Sequence, residues 1–139
     1  QTFFYTRAGS DISIENIDEA KALNKIGTVS SWFSDQYLRN LGFENLVSDG
    51  DPRVLTDRLM KGEIDAFVCS GLTFGDILGE LNYSMSQVTA AFELMSSDFY
   101  IAFSLGTPPD KVDQWQKALD DMKQDGTYAS IYAKWFPGE

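Results

Sequence analysis

The sequence contains no histidine. Imidazole is the commonest general base and the commonest metal ligand, so its absence removes the Ser/His and Cys/His nucleophile pairs. Cys69 is the single cysteine, which excludes an internal disulfide and leaves the redox compartment unspecified. No apolar run approaches the roughly 18 residues that a membrane span needs, and no signal-peptide pattern opens the chain. Basic residues are scarce: 11 stand against 21 acidic ones, for a formal charge of −10. Such a field repels nucleic acid and anionic membranes, and its ordinary use is solubility. Phosphate-cradling glycine loops, metal-ligand spacings and nucleophile elbows are also missing. No catalytic residue, metal site or cofactor is therefore expected, although Asp, Glu, Lys and Tyr remain available for chemistry.

What is present describes a globular chain. Its 139 residues, 43% hydrophobic and 23% charged, are the size of one domain and enough for a real core. A chain that opens on Gln1 rather than Met reads as a processed product or an excised piece. Strand and helix patterns alternate with short connections, which predicts an α/β fold with a parallel sheet covered by helices. The predicted strands are Lys25–Val29, Asn45–Ser48 and the mostly apolar Ile64–Cys69, suited to the middle of a sheet. Helices are predicted over Ser34–Leu41, from the Asp51-Pro52 start to Lys61, and over Thr73–Leu81. Gly42 and Gly62 serve as stops, and Asp51 followed by Pro52 is a cap with proline at the first helical position. Two further β-like stretches follow, Val88–Leu94 and Phe99–Ser104. Thr2–Thr6 is also β-like and is expected to lie beside a later strand.

The last third changes character. Thr107-Pro108-Pro109-Asp110 resembles a capping box. Val112, Trp115, Leu119 and Met122 then share one helical face, and Gly126 breaks the pattern. Tyr128, Ile131, Tyr132 and Trp135 make a second stripe on a short final helix. Both stripes read as core faces that need a surface to cover.

In a parallel α/β sheet, ligands gather beyond the carboxyl ends of the strands, where helix N-termini present free amides. Three predicted loops occupy that edge. Ser30, Ser31, Trp32 and Phe33 offer hydroxyls and amides to an anionic group, with Trp32 able to stack on a planar one. On the competing reading one serine, Ser31 or Ser34, caps the helix while Trp32 and Phe33 pack. Asp49 and Arg53 supply charges in a second loop that also reads as a solvated turn capped by Asp51. Ser70 and Gly71 follow the buried strand; Ser70 faces the cleft or, alternatively, Ser70 or Thr73 caps the next helix. Arg7 and Lys25 read as surface charges. Asp35, Asp49 and Asp51 are the carboxylates nearest the edge, and none has a visible cause for a raised pKa.

Lys25-Ile26-Gly27 through Tyr37-Leu38, then Lys61-Gly62-Glu63-Ile64-Asp65-Ala66, resemble family 3 of the bacterial extracellular solute-binding proteins. So do Tyr100-Ile101-Ala102, Trp115 to Leu119, and the closing run Asp125-Gly126-Thr127-Tyr128, Ile131, Lys134-Trp135-Phe136. The likeness covers essentially the whole chain but only the later part of the family's length. It implies a type 2 periplasmic-binding-protein fold with two lobes joined by crossing strands. Residues 1–104 would form lobe two, with Thr2–Thr6 and Phe99–Ser104 as the crossing strands. Residues 105–139 would supply helices that pack on lobe one. The implied function is capture of a small polar, amino-acid-like ligand between lobes in the periplasm, with an ABC-transporter membrane permease as partner. A sensor module of the same fold, a cyclohexadienyl-acid dehydratase-like enzyme and a regulator's effector domain are the alternatives, and self-association of the fragment stays open. Amino-acid binders of the family carry a Gly-Thr/Ser-Thr run where Ser31-Trp32-Phe33 stands, and an amine-binding Asp that aligns with Ser70. Those departures leave the usual amino-acid ligand open to question.

Overall fold

The computed structural model describes residues 1–135, and the chain divides into two compact units, Gln1–Ser97 and Asp98–Glu139. The first unit holds strands β1 (Thr2–Arg7), β2 (Ile26–Val29), β3 (Leu46–Asp49), β4 (Ala66–Ser70) and β5 (Val88–Met95). Its helices are α1 (Ile17–Ala22), α2 (Phe33–Asn40), α3 (Pro52–Met60) and α4 (Gly71–Glu80), with a single 3₁₀ turn at Met85–Gln87 before β5. The sheet order is β3-β2-β4-β1-β5. β2 pairs in parallel with β3 and β4, while β1 runs antiparallel to both β4 and β5. Four strands thus point one way and β1 alone is reversed, which is the mostly parallel sheet expected.

Alternation along the strands builds a core on each face of the sheet. Tyr5, Val29, Phe67 and Cys69 pack with Leu55 and Leu59 of α3 and Phe74, Ile77 and Leu78 of α4. Their neighbours Phe4, Ile26, Ala66 and Val68 pack with Ala20 of α1 and Leu38 of α2. Because β2 and β4 are covered on both faces, every residue of β2 and the first four of β4 are buried. Burial pushes the Cys69 thiol up to about 12, so it is a core residue without reactivity at neutral pH.

Gly27 sits where this packing is tightest. A Cβ there would lie 2.6 Å from the Ile64 Cδ1 methyl and 3.3 Å from Leu55 Cδ2, both on buried side chains. Gly27→Val is expected to cost about 2 kcal/mol of unfolding free energy by overpacking, read as a lowered urea midpoint with unchanged slope. An unchanged midpoint would show that Ile64 and Leu55 yield freely.

The predicted stops and starts are in place. Gly42 and Gly62 follow α2 and α3 with φ of 81° and 75°, and Asp51 caps α3 through the Arg53 amide with Pro52 next. Helix α1 escaped the sequence reading, although Asn16 and Glu19 form a reciprocal cap: the Glu19 amide donates to Asn16 Oδ1 at 3.0 Å, and the Asn16 side-chain amide donates to Glu19 at 3.0 Å. Two other expectations fail. Phe99–Ser104 forms no strand, because β-like composition makes a strand only where a neighbouring strand supplies the ladder. Thr107 opens no capping box: α5 (Pro109–Gln124) has Pro108 at its cap with no side-chain bond, and the Thr107 hydroxyl lies 3.0 Å from that of Ser104.

The second unit contains α5 and α6 (Thr127–Trp135), with Gly126 between them at φ 84°. Phe103 packs edge-on against Trp115 at 6.3 Å, and Tyr128 stacks on Tyr132 at 6.2 Å. Both predicted stripes are present, yet Val112, Trp115, Tyr128, Ile131 and Trp135 are exposed. Phe136, the last residue of the closing run, lies outside the described residues.

Candidate functional site at the carboxyl edge of the parallel strands

β3, β2 and β4 are adjacent and parallel, so their carboxyl ends deliver all three predicted loops to one edge. The ladder runs to the end: Val29 stands opposite Asp49, and the Ser30 amide donates to the Asp49 carbonyl at 2.8 Å. On the other side Ile26 is opposite Ala66 and Gly27 opposite Phe67. Those are the last paired positions of β2 and β4, and Ser30 and Ser70 follow them at equal remove along the two strands. Helices α2, α3 and α4 start at this edge, and their macrodipoles all direct partial positive charge toward it.

The first loop differs from expectation in its cap. Neither Ser31 nor Ser34 caps α2; Trp32 occupies that position and makes no side-chain bond. Ser31 takes a left-handed conformation with φ of 68°, and that turn directs the chain into α2 with Trp32 at the cap. The consequence is a helix N-terminus without a side-chain acceptor on its first-turn amides. Trp32 packs partly against the core beneath, whereas Phe33 is 69% exposed and stacks on Tyr37 at 5.9 Å. An anionic group, a stacking surface and exposed hydroxyls can therefore meet here.

The other loops are more occupied. Asp51 accepts from the Arg53 amide at 2.9 Å and from Arg53 Nε at 2.9 Å, and the Arg53 guanidinium lies 3.9 Å from Glu80. The Asp51 carboxyl is held below the usual range, chiefly by the Arg53 side-chain bond. Asp49 accepts from the Asp51 amide at 2.8 Å. Ser70 caps α4, accepting from the Thr73 amide at 3.2 Å and donating to the Thr73 hydroxyl at 2.8 Å. The Gly71 amide donates to the carbonyl of Gln1 at 3.2 Å.

Beneath the edge lies a polar network that the sequence reading missed. Asp35 is buried and accepts from Thr28 Oγ1 of β2 at 2.6 Å and Ser48 Oγ of β3 at 2.7 Å. Arg39, one turn on, donates from Nε to Asp35 at 3.0 Å and from a terminal nitrogen to Ser48 at 2.7 Å. Burial pushes the Asp35 carboxyl upward, but the bonds from Arg39, Thr28 and Ser48 outweigh it and hold it below the ordinary value. The network fixes the first turn of α2 to two strands. The i,i+4 spacing of Asp35 and Arg39 was the available signal. Each carboxylate that the sequence placed near the edge, Asp35, Asp49 or Asp51, is thus engaged in a structural bond. Among the described residues no group of three or more Cys, Asp or Glu side chains is arranged to hold a metal, and no helix is long and apolar enough to cross a membrane.

A mixed sheet covered on both faces, with three helix N-termini at one edge, defines an α/β module with a polar, electropositive edge. The chain belongs to the bacterial extracellular solute-binding proteins, family 3, whose model matches residues 28–138. It is similar to the L-cystine-binding protein TcyA of Bacillus subtilis (strain 168), at 36% identity over 83 residues, covering 56% of this chain and 28% of that protein. It is similar as well to an ancestral arginine-binding protein bound to glutamine, at 27% identity and a TM-score of 0.68, covering 99% of this chain and 60% of that one. Domain 2 from TmArgBP matches over 100% of its own length and 70% of this chain, with a TM-score of 0.54 and 15% identity, a likeness of fold. The chain therefore spans 28% of the length of the cystine-binding protein and 60% of that of the ancestral arginine-binding protein.

Proposed function

We propose that this chain is the greater part of an extracytoplasmic solute-binding protein that holds a small, polar, amino-acid-like ligand against the carboxyl edge of β2, β3 and β4. The observation that carries the reading is the uncapped α2 N-terminus beside Ser30, Ser31 and the exposed Phe33, at the same sheet edge as Ser70. The amides suit the carboxylate of such a ligand, and the aromatic suits its apolar or planar part. Asp49, Arg53 and Gly71 complete the rim. The function is capture without chemistry: the edge carboxylates are engaged in caps and ion pairs, and the named relatives are binding proteins.

In this reading residues 1–104 are lobe two, with the compact unit Gln1–Ser97 as its body, and residues 105–139 are helices of lobe one. Ligand binding selects a closed arrangement of the lobes, and a membrane permease of the ABC-transporter type takes the ligand from it.

The test is a thermal-shift screen of the full-length gene product against amino acids, polyamines, small carboxylates and cyclohexadienyl acids. A rise of several degrees with the amino-acid class is expected, because selective binding stabilises the native state. No rise with any amino acid would sink the assignment. Ser70→Asp sharpens it. Aspartate caps a helix as well as serine does, so α4 is kept, while a charge arrives at the position that aligns with the family's amine-binding residue. Affinity for ligands bearing an α-ammonium is expected to rise about tenfold, with ligand-free stability unchanged. Equal affinity in the two proteins would remove Ser70 from the site.

A further inference from the structure

Ser34 lies in the first turn of α2, freed from capping because Trp32 takes that place. It is only 8% exposed, yet its hydroxyl makes no hydrogen bond among the described residues. A buried hydroxyl without a partner is costly unless something supplies one. The oxygen is not sealed in the core. Ser10 Oγ and Asn45 Oδ1 are the enclosed, unbonded side-chain atoms among the described residues, and Ser34 Oγ is not one of them. It keeps an opening through which a ligand atom can reach it. The amides of Phe33, Ser34 and Asp35 also lack acceptors, since the first bond of α2 runs from the Gln36 amide to the Trp32 carbonyl at 3.3 Å.

Helix geometry gives the direction in which Ser34 points. Ser34, Asp35 and Leu38 are the buried positions of α2. At about 100° per residue, Ser34 and Asp35 flank the line of Leu38 on opposite sides. Asp35 leans toward β2 and β3, where it meets Thr28 and Ser48. Ser34 is thereby turned toward β4, the strand on the other side of β2. Its Cα–Cβ bond tilts toward the start of the helix, and so toward the ligand edge. The β4 side of that edge is neutral. Val68 belongs to the cluster that holds Leu38, and Cys69 to the opposite one. Alternation then puts Ser70 on the Leu38 side, and Thr2, its partner across the ladder, shares that face with Phe4. Asp35, the acid beside Ser34 in the chain, is engaged by Thr28, Ser48 and Arg39.

We propose that Ser34 is a specificity-determining residue of the solute site: its hydroxyl donates to the ligand's carboxylate, and the first-turn amides of α2 hold the same group. The inference rests on the proposed ligand edge and names a contact within it. A hydroxyl bonds a charged oxygen more strongly than a neutral one, so Ser34 favours a carboxylate over a carboxamide. Phe33, one residue earlier, is turned outward. The charged end of the ligand is therefore received under the first turn of α2, and its apolar part stays beside the exposed ring.

The test uses the full-length gene product, with sodium acetate and acetamide as probes at constant ionic strength and amide NMR as the readout. Acetate should produce saturable shifts of Phe33, Ser34 and Asp35, and acetamide should bind about tenfold more weakly. Ser34→Ala should weaken acetate about tenfold and acetamide much less. Its melting temperature without any probe should equal or exceed that of the wild type, because an unbonded hydroxyl is gone. A lowered melting temperature would show that the hydroxyl is bonded within the fold, and would overturn the proposal. Linear shifts in the wild type, or a Ser34→Ala loss that is absent or equal for the two probes, would overturn it as well. The readout is separate from the solute screen. Saturable acetate binding with a failed screen leaves Ser34 in a carboxylate site that takes no amino acid, whereas the reverse leaves the solute assignment standing without Ser34.

Discussion

Asp35→Ala is expected to lower unfolding free energy by about 3 kcal/mol and the melting midpoint by on the order of 10 °C, measured by circular dichroism. The carboxylate is the shared acceptor of Thr28, Ser48 and Arg39. Its removal leaves the fully buried Thr28 hydroxyl without the acceptor it bonds at 2.6 Å and frees α2 from β2 and β3. A loss below about 0.5 kcal/mol would mean that water replaces the carboxylate without cost. The pH dependence has a definite sign. Because the folded-state pKa of Asp35 is depressed below 3.8, its contribution is fully present above that value and lost as pH falls through the folded pKa. The stability gap between wild type and Asp35→Asn should therefore be constant near neutrality and close in strongly acidic solution. A gap that widened on acidification would contradict the network. Since α2 supplies the uncapped amides, Asp35→Asn should also weaken ligand binding while leaving every proposed ligand contact in the sequence.

Phe74→Ala is expected to cost more, about 3 to 5 kcal/mol, by leaving a cavity that the rigid surroundings cannot fill. Its ring is fully buried between Tyr5 at 4.5 Å and Phe67 at 5.4 Å. Three elements, β1, β4 and α4, meet on that one side chain. Phe33→Ala, in contrast, should stay within about 0.5 kcal/mol, because Phe33 is mostly exposed and its ring stacks on the half-exposed Tyr37. Equal losses at the two positions would show that residue size rather than burial governs stability here. A loss at Phe33 confined to ligand affinity is the expected signature of an aromatic kept for binding.

Periodicity and punctuation made most of the first unit legible. Asp51-Pro52, Gly42 and Gly62 act through local backbone geometry that needs no tertiary partner, and each stands where its chemistry required. The apolar run ending at Cys69 announced a strand covered on both faces. Legibility stopped where a partner decides the outcome. Phe99–Ser104 has β-like composition, but composition supplies no hydrogen-bonding neighbour. Thr107 has the chemistry of a cap, but two prolines after it move the helix start. At the candidate site, the edge followed from topology, while the division of labour within it did not. Ser31 was free to cap, and only its backbone turn shows that Trp32 takes that place. Asp35 stood among the edge carboxylates in the sequence, and only the proximity of Ser48, 13 positions away, reveals its structural role.

The buried thiol of Cys69 has a practical consequence. With its pKa raised to about 12 and its sulfur enclosed in the core, the lone native cysteine will not compete for maleimide reagents while the protein is folded. A second cysteine introduced on the exposed face of α2, at Gln36 for example, becomes a unique attachment point for a fluorophore. The wild-type background is thus already suited to an optical reporter of solute capture, and slow labelling of Cys69 itself would time the global opening of the domain.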